Sequence, residues 1–263
     1  MEEQKMSLIE HLSELRKRIV ICLVALVIAF IFTFNYSEQI FKLLLFPLDY
    51  TPKISLNYGL VFVPDQKLHN TKLVFLGPAE AFWMNMKVAL VSGFVLTIPI
   101  IFLQIWKFVA PGLHQHEKKY IVVFVLSATL LFLIGIGFCY FIVLPFAMGF
   151  LLNYKVGEFL MPMLSVGLYV DFLLKFLLAF GFVFELPVLI VITTRMGLIS
   201  PQTLKKYRKL AIVLSFVVAA IVTPTPDAFN QTLMAVPMII LYELGIWVSI
   251  LINKKGKDDG GKE

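Results

Sequence analysis

Six long apolar runs, at approximately 19–34, 81–106, 120–144, 164–194, 210–223 and 232–252, dominate the chain. About 20 apolar residues are what a helix needs to cross a bilayer, and inside hydrocarbon every backbone N–H and C=O must be satisfied within the segment. The runs are too long and too smooth for the alternating ~10-residue strands of a membrane barrel. Composition agrees: only 15% of residues are charged and mean hydropathy is +0.88, where soluble domains carry about 25% charged residues. The expected fold class is all-α, a polytopic membrane protein with six transmembrane helices, which excludes a soluble enzyme and a collagen-like rod.

Ser7 and Glu10 hold capping-box spacing before the first run, and an amphipathic stretch ends in Arg16, Lys17 and Arg18. The run is longer than a signal-peptide core and no small-residue cleavage site follows it, so it is read as a span. Sixteen of the 23 Lys and Arg fall in the two terminal segments and the second and fourth loops, and five in the others. The positive-inside bias then places both termini in the cytoplasm, with the net charge of +6 a topology signal and no sign of nucleic-acid binding. The expected organisation is one membrane domain over 1–253, an external cap loop over 35–80 rich in proline, and a mobile cytoplasmic tail over 254–263. Within the cap, Leu60–Val63 and Leu73–Leu76 are read as a small hairpin. Cys22 and Cys139 lie at opposite depths and are read as buried free thiols.

The fifth run spans about 21 Å as a helix against roughly 30 Å of hydrocarbon, and Thr223-Pro-Thr-Pro-Asp227 stops it. Either the bilayer thins there or other helices cover polar backbone. Pro99, Pro145, Pro187 and Pro237 remove helix hydrogen bonds and, with Gly135 and Gly137, suggest kinked helices in a curved bundle.

Ionisable groups inside spans are functional candidates. Asp171 and Lys175, one turn apart, are read as a local ion pair. Glu185, roughly 15 Å from the inner face with no cation one turn away, and Glu243 in the sixth run are read either as hydrogen-bonded to another helix or as contacts for substrate or protons. At the cytoplasmic face Glu14 can pair with Lys17 or Arg18, and Glu117 suits the first turn of the third span. The sharper reading makes the two carboxylates an acidic receptor for planar arginine ligands. Gly256–Lys262 has phosphate-loop spacing but no Ser or Thr, strand or helix to go with it, and His114 and His116 offer two metal ligands at most. No cofactor and no catalytic motif are expected.

Five segments in order, Glu14 to Arg18, Trp106 to Leu113, His116-Glu117, Phe180 to Pro187 and Thr223 to Gln231, resemble TatC, the family of multispanning receptors of the twin-arginine protein translocase. The resemblance implies a chain of the cytoplasmic membrane that binds signal peptides with consecutive arginines. It also implies export of folded proteins driven by the protonmotive force, without nucleotide hydrolysis. By resemblance Glu14 and Glu117 bind the arginine pair, and Arg16, Lys17, Phe108, Pro111 and Leu113 shape the surface. Glu185 lends polarity to the concave bundle and Pro47 belongs to the external cap. The implied partners are single-span TatA and TatB subunits at the fifth and sixth spans, further TatC copies and the bilayer, with Thr223, Asp227 and Gln231 giving polar contacts. The Thr223 segment holds one residue more than the common version, so Thr223 or Thr225 answers to the family's threonine. Two rival readings are a small secondary transporter with Glu185 as coupling carboxylate, although no internal repeat is visible, and a purely structural scaffold.

Overall fold

The computed structural model describes residues 8–55, 59–64, 73–109, 121–153, 163–223 and 227–259. Six helical rods carry the chain back and forth. The first is α1 (Leu8–Asn35), followed by two short helices, α2 (Ser37–Leu44) and α3 (Phe46–Asp49). The second is α4 (Glu80–Val109). The third is α5 (Ile121–Phe138), a π-helical turn over Cys139–Val143, and α6 (Leu144–Asn153). The fourth is α7 (Val166–Val183) and α8 (Leu186–Arg195). A short α9 (Pro201–Lys206) leads to the fifth, α10 (Arg208–Val222), and the sixth is α11 (Ala228–Asp259). Five of the rods are long and apolar enough to cross a membrane. At 15 residues α10 reaches only about 22 Å, as its short apolar run requires.

The bundle is built round α7. Leu173, Phe176 and Phe180 are fully buried where α7 packs against α4, α5 and the π-turn, in one apolar cluster with Val143, Leu144 and Met234. By contrast α1 leans chiefly on α4 and leaves Val20, Val24, Ile28 and Ile31 exposed, as a lipid-facing rod must. With no hydrophobic drive between helices in lipid, close backbone approach and polar contacts join the rods. The Thr33 hydroxyl donates across to the Ala89 carbonyl at 2.7 Å. A methyl group on Gly135 would stand 2.5 Å from the Phe180 carbonyl oxygen, so Gly135 is where α5 meets α7 and not a free hinge. Between α1, α2, α4 and α7 opens an apolar cavity of about 500 Å³, walled by Phe32, Tyr36, Ile40, Val95, Leu96 and Leu177.

The prolines divide into two kinds. Pro145 follows the π-turn and Pro187 opens α8 after the interruption at Phe184-Glu185, so each lost hydrogen bond coincides with a break. Pro99 and Pro237 lie inside continuous helices, α4 and α11.

Several expectations are corrected. Leu60–Val63 and Leu73–Leu76 do not pair with each other: β1 (Tyr50–Ser55) and β2 (Gly59–Pro64) form the antiparallel hairpin. β3 (Leu73–Val74) instead lies parallel to β4 (Leu164–Ser165), joining the first and third inter-rod connections. Asp171 does not pair with Lys175 one turn on but reaches Lys87 of α4 at 2.7 Å, because the neighbouring rod brings a cation to it. Cys139 is buried, whereas Cys22 on the thinly covered α1 is half-buried. The third rod continues to Asn153, and the sixth passes Asn253 to end at Asp259.

Candidate functional site

The end of the bundle where α1 starts and α4 ends carries the first candidate site. Glu14, Arg16, Lys17 and Arg18 occupy the early turns of α1, and Gln104 and Phe108 the last turns of α4. Helical spacing puts Glu14 and Arg18 on one side of α1, toward α4, and the Arg18 Nη2 donates to the Glu14 Oε1. The other arm of the guanidinium, Nη1, donates to the Gln104 Oε1 at 3.1 Å. Both charged side chains are about one-fifth exposed, 20% for Arg18 and 19% for Glu14. Beside them the His11 ring stacks on Phe108 with centroids 4.3 Å apart. Among the described residues the Glu14 Oε2 and the Arg18 Nε are buried without a hydrogen-bond partner.

Glu14 and Phe108 are therefore brought together as expected, while Arg16 and Lys17 stand exposed on the outer side of α1. Glu117, Pro111 and Leu113 lie outside the described residues. The structure selects Arg18 over Lys17 as the partner of Glu14, and one member of the cluster escaped the sequence reading. Gln104 is a lone amide in an apolar run, and a search restricted to ionisable groups passes over it. Arg18 was read as a topology cation and a possible partner of Glu14, and only the fold shows that its guanidinium also reaches Gln104 and bridges two rods.

At mid-rod, Glu185 sits in the break between α7 and α8 and is 7% exposed. Its Oε1 has no hydrogen-bond partner among the described residues, so the hydrogen-bonded alternative is not met at that atom. Glu243 differs: its carboxylate, about one-third exposed, accepts from Arg208 at the start of α10 at 2.7 Å, since the preceding rod supplies a cation at its level. The pair joins the fifth rod to the sixth, aided by the Tyr242 hydroxyl donating to the Leu204 carbonyl at 2.9 Å.

At the junction of those rods Thr223 is buried and donates to the Ala219 carbonyl at 2.7 Å. Asp227 caps α11, its Oδ1 accepting the Asn230 backbone N–H at 2.7 Å and its Oδ2 the Asn230 side-chain amide at 2.9 Å. The Gln231 N–H donates to the Asp227 carbonyl at 3.2 Å. Thr225 lies outside the described residues. Along α10 only Ser215 and Ala219 are buried, while Val213, Leu214, Val217 and Ile221 are exposed.

On the opposite face, Pro47 is buried in α3. The hydroxyls of Tyr140 and Tyr169 donate to the Leu43 and Leu44 carbonyls, each at 2.5 Å, and fasten α2 to the bundle. Nearby Glu38 pairs with Lys42 at 2.9 Å, which holds its carboxyl below the usual carboxylate range. Glu80, at the first turn of α4, was not singled out from the sequence. Its Oε1 accepts from the Ser165 hydroxyl and from the Gly167 N–H at 2.7 Å, and its Oε2 from the Leu76 N–H at 2.5 Å and the Gly77 N–H at 3.4 Å.

Residues 10–237 match the family model described as Sec-independent protein translocase protein (TatC). The chain belongs to the TatC family. It is 41% identical to the Sec-independent protein translocase protein TatC of Carboxydothermus hydrogenoformans, with 97% of each chain covered. It is 35% identical to the protein of that name from Escherichia coli, covering 97% of this chain and 93% of the relative. A solved structure titled "Crystal Structure of Twin Arginine Translocase Receptor- TatC" superposes with a TM-score of 0.77 at 36% identity, over 92% of this chain and 99% of the other. This TatC-family chain is thus an integral membrane protein and a translocase component, and the secondary-transporter reading has no support.

Proposed function

We propose that this chain is the receptor of a twin-arginine translocase in the cytoplasmic membrane, with both termini in the cytoplasm, and that Glu14 and Glu117 bind the consecutive arginines of signal peptides. The observation that carries the reading is the Glu14 cluster. A carboxylate and an amide oxygen from different rods converge on one guanidinium, beside a stacked His11–Phe108 pair. A planar fork satisfies two acceptors in two directions, where an ammonium acts as a point charge. Arg16, Lys17, Pro111 and Leu113 complete the surface around it. The apolar core of the signal peptide follows the concave side of the bundle, to which Glu185 adds polarity.

TatA and TatB subunits dock along the exposed apolar side of α10 and the start of α11, where Thr223, Asp227 and Gln231 offer polar atoms, and further copies of the chain assemble around them. The short fifth rod thins the bilayer locally and is where a transient opening starts, powered by the protonmotive force. Residues 35–80, with Pro47, cap the external side, and 1–253 form one membrane domain. The chain works as a receptor and not as a catalyst.

The test is binding of the purified, detergent-solubilised protein to a synthetic signal peptide with consecutive arginines and to its twin-lysine version, for the native chain and for Glu14→Ala and Glu117→Ala. Clear preference for arginine, lost in either variant, supports the reading. Binding indifferent to arginine in correctly folded protein overturns it.

A further inference from the structure

The cradle where α1 starts and α4 ends is already filled. Arg18 presents Nη2 to Glu14 and Nη1 to Gln104, so the chain's own guanidinium occupies both acceptors that an incoming arginine would use. A simple helix pair of Glu and Arg one turn apart would involve α1 alone, and it is the Gln104 contact across to α4 that makes this a two-rod cradle. A carboxylate receives a bidentate fork through both oxygens. Here Oε1 is taken by Arg18 and Oε2 has no partner among the described residues, so a second fork cannot seat while Arg18 stays. Arg18 can leave at a moderate cost: about one-fifth exposed, it exchanges its two hydrogen bonds for water, which also reaches an Nε that has no partner among the described residues. The exchange puts one guanidinium in place of another, so no charge is stranded beside Glu14.

Resting on the receptor reading, we propose that Arg18 is an internal occupant of the twin-arginine site, displaced by the arginine of the signal peptide. Arg18 sets how tightly a peptide must bind to be accepted, and Glu14 with Gln104 sets the choice of arginine over lysine. The two roles separate cleanly. Displacing Arg18 costs the same whichever peptide enters, so it cancels from the arginine-to-lysine ratio. The second acceptor does not cancel, because only a fork reaches Gln104 and Glu14 together.

The experiment titrates labelled twin-arginine and twin-lysine peptides against the full chain in detergent micelles, for the native protein and for Arg18→Gln, Arg18→Lys and Gln104→Leu. Removing an occupant held by charge-assisted hydrogen bonds is expected to tighten both peptides by roughly tenfold in Arg18→Gln, with their ratio unchanged. Arg18→Lys keeps the charge but loses the fork, and is expected to tighten both by about threefold. Gln104→Leu is expected to lower the arginine-to-lysine ratio. If Arg18 only braces the helices, or is itself a peptide contact, both Arg18 variants bind the arginine peptide equally or more weakly, and the proposal fails while the receptor reading stands. Should Arg18→Gln not fold, the lysine variant decides alone. If the native protein shows no arginine preference, the receptor reading falls and the proposal with it.

Discussion

Two carboxylates stand near opposite ends of α4 and are treated oppositely. Glu80, at its start, has both oxygens taken by donors from the preceding turn and from the start of α7, two on each oxygen. Glu14, lodged against its far end, has one oxygen on Arg18 and the other without a partner among the described residues. A saturated carboxylate is a fastening: it ties the connection before α4 to β4 and the first turn of α7, beside the β3–β4 pairing. An unsaturated one retains the capacity to accept a further ligand. The number of donors gathered round each acid, more than its burial, separates structure from recognition.

The comparison can be broken by swapping the roles of the two sites. The largest expected effect is on binding: Glu14→Ala removes the charged acceptor and lowers affinity for the twin-arginine peptide by about tenfold or more, measured by titration, while the melting temperature changes little. Glu80→Ala is the converse. It leaves four donors without their acceptor, lowers the melting temperature and opens the connections around 73–80 and 163–167 to protease. The arginine preference stays within about twofold of native, as expected for a site remote from the binding groups. A loss of preference in this variant would show that the two ends of α4 are coupled.

Smaller changes sharpen the distinction. Tyr169→Phe removes one buried donor to the Leu44 carbonyl, and thermal denaturation is expected to show a loss of about 1 kcal/mol with binding unchanged. Glu185→Gln probes a carboxyl whose Oε1 has no hydrogen-bond partner among the described residues. Its effect on stability is expected within about 0.5 kcal/mol by the same measurement, and a larger loss would reveal a partner among the residues flanking it.

Much of the architecture was legible before the fold. Run lengths marked the rods to within a few residues except at the first, third and sixth, where α1 already begins at Leu8 and the other two continue past Leu144 and Asn253, and the short α10 followed from counting. Polar partnership was far less legible. Asp171 was assigned the cation on its own helix and took Lys87 instead. Glu243 found Arg208 on the preceding rod. Helical periodicity reports neighbours three and four residues away, and these choices were made between rods. The cap shows the same limit: the alternating stretch at 60–63 did enter a strand, but its partner was 50–55, because a short hairpin closes more readily than one spanning the next connection.

By itself the sequence determined that this chain lives in a membrane as helices, where the rods run and which residues resemble a twin-arginine receptor. Hydrocarbon leaves a backbone no other way to satisfy its polar groups, and apolar length is written directly in residue order. Only the tertiary structure decided which acids are tied down and which remain open. The partners that settle it come from far along the chain, Ser165 being 85 positions from Glu80 and Gln104 being 86 from Arg18. A contact between distant residues depends on how the rods pack, and no local pattern in the sequence carries that information.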